Sequence, residues 1–170
     1  GTYSTLAAFQ TNIRANSILE PFNGPDDPAL PSIAFGGNGF QATLDSEIPT
    51  FSIFRFGLGV GSASPSEGTT FTFTGRPVSA FGGTFRVINA VSASVGGTIS
   101  VVTDTGESST VAVPVAGQFF AITAARPFSS VTLNTVPPGG GRFEVIDDVY
   151  LGISGTAAEA ADQCSDAPTI

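Results

Sequence analysis

The chain has 170 residues, with no histidine, lysine, methionine or tryptophan and one cysteine, Cys164. Without histidine, neither a Ser-His-Asp nor a Cys-His nucleophilic arrangement can be assembled from it, and the common zinc sites are excluded. A single cysteine leaves no internal disulfide; in a polar tail it reads as a free thiol, with an intermolecular bridge as the alternative. Charge is also scarce: 12% of residues are charged, the net charge is -8, and all six basic residues are arginine. A phosphate backbone is repelled by such a chain and finds no basic cluster, so nucleic acid and anionic membrane surfaces are poor partners. No apolar run approaches the ~20 residues that cross a bilayer, so no membrane span is expected. No signal peptide is visible either; Gly1-Thr2-Tyr3 could follow a removed one, and the lack of methionine reads as a processed, exported chain.

What is abundant is turn and strand chemistry: 21 glycines and 12 prolines among many Thr, Ser and Val. The expected class is all-β, an antiparallel sandwich with jelly-roll character, as one domain over residues 1–154. Segments at 40–44, 51–58, 69–74, 78–87, 97–103, 109–115, 119–123, 131–136 and 143–151 make about nine strands. Thr70-Phe71-Thr72-Phe73-Thr74 alternates most cleanly, with phenylalanines inward. Asp104-Thr105-Gly106-Glu107 reads as a hairpin and Pro137-Pro138-Gly139-Gly140-Gly141 as a longer turn. Pro114 marks an edge strand or a bulge. The glycine pairs Gly36-Gly37, Gly82-Gly83 and Gly96-Gly97 read as turns or bulges.

Before a strand ending at Ile18-Leu19-Glu20, Leu6, Phe9 and Ile13 recur at helical spacing behind a Ser4 or Thr5 cap, which predicts a short helix as a lid over one end of the core. Residues 21–31, with four prolines and Asn23-Gly24, read as a loop rather than a strand. Asp26, Asp27 and Asp45 read as solvated loop acids. Residues 155–170 read as an appended tail, where Thr156-x-x-Glu159 fits a capping box and hence a short helix.

The stretch 143–151 carries the main site argument. Strict alternation puts Phe143, Val145, Val149 and Leu151 on one apolar face together with Asp147. A core-side carboxylate must be hydrogen-bonded, paired or bound to a cation. Two readings are equally open: Ca²⁺, with Glu20 as a second ligand if the strands are neighbours, or hydrogen bonds from backbone N–H or arginine. Glu20, Glu144, Asp147 and Asp148 are also the acids from which a glycosidase pair would have to come, yet nothing marks a raised pKa among them. The glycine-rich Gly36-Gly37-Asn38-Gly39 and Gly139-Gly140-Gly141 lack the lysine and the strand-to-helix setting of phosphate loops and read as turns. Of the aromatics, 15 are Phe and two are Tyr. Phe71, Phe73, Phe81, Phe85, Phe119 and Phe120 read as core, which leaves Tyr3 and Tyr150 as surface rings for a sugar.

The order Leu6-Ala7-Ala8-Phe9, Leu19-Glu20-Pro21-Phe22, Val78 to Phe85 (VSAFGGTF), Gln118-Phe119-Phe120-Ala121-Ile122, Pro127 to Val131 (PFSSV) and Ile146-Asp147-Asp148-Val149 resembles exported bacterial β-sandwich domains of the PEP-CTERM-associated type. The likeness spans about residues 5 to 151, although the sorting motif, membrane helix and basic end are replaced by residues 152–170. These domains are similar to jelly-roll carbohydrate-binding modules. The resemblance implies a structural calcium held by Glu20 and Asp147, with Asp148 the weaker ligand by strand parity. The expected function is a non-catalytic, secreted structural or adhesive protein, associating with copies of itself or other surface proteins in a matrix or filament. The alternative is a carbohydrate-binding module for a polysaccharide.

Overall fold

The computed structural model describes residues 1–47 and 52–155; the tail and Cys164 lie outside them. Among the described residues are fourteen strands and one helix: β1 (Thr2–Tyr3), α1 (Leu6–Gln10), β2 (Ile18–Glu20), β3 (Asp27–Leu30), β4 (Ile33–Gly37), β5 (Phe40–Ser46), β6 (Ile53–Phe56), β7 (Gly59–Ser62), β8 (Thr69–Gly75), β9 (Val78–Asn89), β10 (Gly97–Thr103), β11 (Ser108–Val113), β12 (Gln118–Phe128), β13 (Ser130–Thr135) and β14 (Arg142–Gly152). They form two antiparallel sheets. An eight-stranded sheet runs β1-β12-β9-β14-β7-β6-β3, with β2 also paired to β14; a six-stranded sheet runs β11-β10-β13-β8-β5-β4. The predicted all-β sandwich is the observed fold.

Period-two patterning builds the space between the sheets. In β8, Phe71 and Phe73 are buried while Thr72 and Thr74 are exposed, and Ala42 and Leu44 alternate in the same way in β5. From the other sheet, Phe81, Phe85, Val87 and Ile146 complete one central core. The expected hairpin joins β10 to β11 through Gly106 (φ +89°), a left-handed conformation that suits glycine. Gly36-Gly37 leads into the β4–β5 turn at Asn38 and Gly39, both of positive φ.

Three expectations need correction. Residues 27–30 are a strand: Asp27 pairs with Arg55 and Leu30 with Ile53. Pro28 is tolerated because β3 is an edge strand with irregular register, where a missing N–H breaks no ladder. Asp27 therefore sits in a strand, as does the half-buried Asp45 of β5, whose pKa burial raises. The helix, capped by Thr5 Oγ1 accepting from the Ala8 N–H at 3.3 Å, does not close an end of the core. It lies on the outer face of the eight-stranded sheet, where Ala80 and Ala121 leave a shallow seat for the fully buried Phe9.

Candidate functional site

The alternation of the last strand breaks in the middle. Asp147 pairs with Thr84 of β9, but Tyr150 pairs with Gly82, so two residues of β14 stand opposite one of β9. This is a β-bulge, with Asp148 in the left-handed region at φ +50°. Glycine at position 83 makes room for it: a Cβ there would stand 2.8 Å from the Ile146 side chain and 2.9 Å from the Asp147 carbonyl. Of the two readings, turn or bulge, Gly82-Gly83 follows the second: it is strand interior opposite a bulge. The extra residue reverses side-chain parity. Before it, Glu144 and Ile146 face the core; after it, Val149 and Leu151 do.

Asp147 is therefore not on the core side. It shares the outer face with Val145 and Phe143, half-buried, and its Oδ1 accepts the Asp148 N–H at 2.9 Å. Burial raises its pKa, the Asp148 N–H lowers it, the Asp148 charge raises it and the Arg86 charge lowers it. β2 does neighbour β14, with Glu20 opposite Val149. That register puts Glu20 on the inner side with Val149, and its Oε1 accepts the Phe22 N–H at 2.9 Å. The sheet thus separates Glu20 from Asp147. Among the described residues no three acid or cysteine side chains gather as a metal-binding group.

The acid that the core does bury is Glu144, only 2% exposed. The Thr69 hydroxyl donates to Glu144 Oε1 at 2.8 Å, and the Ser62 N–H donates to Thr69 Oγ1 at 2.7 Å. The hydroxyls of Ser46 and Ser62 meet at 2.8 Å, and Ser62 Oγ accepts the Ser64 N–H at 3.2 Å. β14 and β7 belong to one sheet and β8 and β5 to the other, so these bonds form a polar clasp between the layers. Burial pushes the Glu144 pKa up to about 8. The Thr69 hydroxyl and the backbone of Glu144 and Ser62 oppose that rise, and the charge of Glu47 adds to it. Burial thus favours the protonated, uncharged form of Glu144, a hydrogen-bonding group between the sheets. Sequence reasoning placed it among candidate acids but gave it the solvent side, because period-two counting cannot see an inserted residue.

On the outer surface, Tyr3 and Tyr150 are not free platforms: both pack on Phe9, with ring centroids 5.9 and 6.2 Å away. Phe119 joins the same group. The outer face of the six-stranded sheet is rich in hydroxyls. Cross-strand rows align Thr43 with Thr72 and Ser130, and Thr70 with Thr132, whose hydroxyls lie 3.0 Å apart. A cavity of about 500 Å³ opens beside this face, lined by Phe35, Phe40, Gln41, Thr43 and Thr74. No family model, curated protein or solved structure matches the chain.

Proposed function

We propose that this chain is a non-catalytic structural or adhesive module of an exported surface or matrix assembly, one that associates with copies of itself. The single observation that carries the reading is the placement of Glu144. The carboxyl most shifted from its ordinary range is sealed between the sheets at 2% exposure and bonded to Thr69 across them. It ties the layers together. The surface supports the same reading, since its hydroxyl-rich sheet face suits extended polar contact rather than a reaction centre. The test is electron microscopy of the purified, concentrated full chain beside a reducing-sugar assay on a polysaccharide panel. Ordered assemblies without released sugar support the module; released sugar from any polysaccharide overturns it.

A second reading, a polysaccharide-binding module, is favoured by the cavity beside Gln41, Thr43 and Thr74, where an amide and two hydroxyls supply donors and acceptors. A glycan array comparing the chain with Gln41→Ala decides it. Binding lost in the variant supports this reading, and an array with no binding removes it.

A further inference from the structure

An edge strand presents unpaired N–H and C=O groups, and chains normally blunt such edges with proline, charge, a bulge, extreme shortness or a covering segment. Besides the three-residue β2 that branches from β14, the two sheet paths end in four edges, and three of them carry such a device. β1 is two residues long, and beyond it β12 carries Arg126 and a register break between Thr123 and Phe128. β3 contains Pro28, Asp27 and its own register break. β4 ends in Gly36-Gly37 and has β2 beside it: Asn38 Nδ2 donates to the Ser17 carbonyl at 3.4 Å, and Gly37 lies against Ile18.

β11 carries none. Its sequence, Ser-Ser-Thr-Val-Ala-Val, has no charge and no proline, and it pairs with β10 in unbroken register from Gly97 opposite Val113 to Val102 opposite Ser108. Pro114 stops it immediately afterwards. The Thr103 N–H bonds the Glu107 carbonyl at 2.9 Å. By antiparallel alternation Ser109, Val111 and Val113 then bond β10, while Ser108, Thr110 and Ala112 aim their backbone groups outward.

We infer that β11 pairs antiparallel with β11 of a second copy, joining two six-stranded sheets into one continuous sheet. The contact rests on the self-associating reading and names its partner. The outward-aimed residues match best when Thr110 lies opposite its own counterpart and Ser108 opposite Ala112. Charge fits this register, because each Glu107 then faces Val113 of the second copy instead of the other Glu107. Two-fold pairing of one patch with itself is also how most dimers close.

The test uses the full chain with Thr110→Lys and Thr110→Glu, read by sedimentation equilibrium. Each variant alone places like charges directly opposite, and each is expected to weaken association on the order of tenfold; an equimolar mixture, which pairs Lys with Glu, is expected to restore it. Hydrogen exchange on the unmodified chain supplies a measurement independent of any variant: amides of Ser108, Thr110 and Ala112 should gain protection as concentration rises. Association that survives in both variants, or amides equally unprotected at every concentration while the chain associates, overturns the β11 contact and leaves the self-associating reading standing. A chain that stays monomeric overturns both.

Discussion

Glu144 couples stability to pH with a definite sign. Its pKa rises from 4.5 to about 8 on folding, so between those values the folded chain holds a proton that the unfolded chain has released. The stability it contributes is fully present below about pH 4.5 and is lost as pH rises through about 8. A shift of that size is worth on the order of 5 kcal/mol. Glu144→Gln keeps the shape and the neutral state, so its melting temperature should fall less than that of the parent chain between pH 5 and 9; parallel pH profiles would show that the carboxyl does not titrate there. The neighbouring acids are in a different position. Asp147 and Glu20 spend an oxygen each on local backbone N–H groups and lie on opposite sides of the sheet. We expect a melting temperature indifferent to EDTA and to added calcium; a fall of several degrees on chelation would instead support calcium at Glu20, Asp147 and Asp148. At Asp148 the positive φ sets the outcome: Asp148→Gly should be neutral or slightly stabilising, and Asp148→Val should cost about 1–3 kcal/mol in denaturant melts. None of this was legible from the acids themselves. Asp147 broke an apolar alternation and drew attention to the right strand, but the residue that reverses the faces leaves no mark in a period-two pattern.

At the level of elements, long alternating strands were legible, as was the short β2 at Ile18-Leu19-Glu20, but β3 and β7 were not. β5, β8 and β10 bury every second side chain over much of their length, so their apolar positions announce them. β3 and β7 are short pieces held by their neighbours: Asp-Pro-Ala-Leu and Gly-Val-Gly-Ser carry little intrinsic strand preference. Gly61 explains the second case. A Cβ there would collide with the Glu144 carbonyl and come within 3.0 Å of the Phe54 ring. Gly61→Ala should therefore destabilise by about 1–3 kcal/mol through forced separation of β7 from β14, and should also disturb the clasp at Ser62. The helix was legible as well, from its cap and the spacing of Leu6 and Phe9, but its seat was not. Ala80 and Ala121 are ordinary small strand residues until the fold brings them side by side under Phe9. Phe9→Ala should cost about 3 kcal/mol in thermal or denaturant melts; an unchanged stability would mean that α1 is not docked there.

The whole molecule is two sheets with different outer faces. The eight-stranded sheet carries α1 over one region of its outer face and a stacked Phe54–Phe56 pair, centroids 5.1 Å apart, over another. The six-stranded sheet turns rows of Thr and Ser outward and ends at the unprotected β11. Class and layer architecture followed from composition and turn chemistry, because alternating Phe and Thr with frequent Gly and Pro admits few packings other than a sandwich. Strand order did not follow, since nothing in the residues of β14 dictates that it sits between β9 and β7. Function is the least local property, and the reading proposed for this chain places it in how faces and edges meet other copies. Sedimentation equilibrium of the full chain over a wide concentration range tests that most directly. Reversible mass growth beyond the 17.2 kDa monomer is the predicted result, and a single monomeric species at the highest concentration would contradict it.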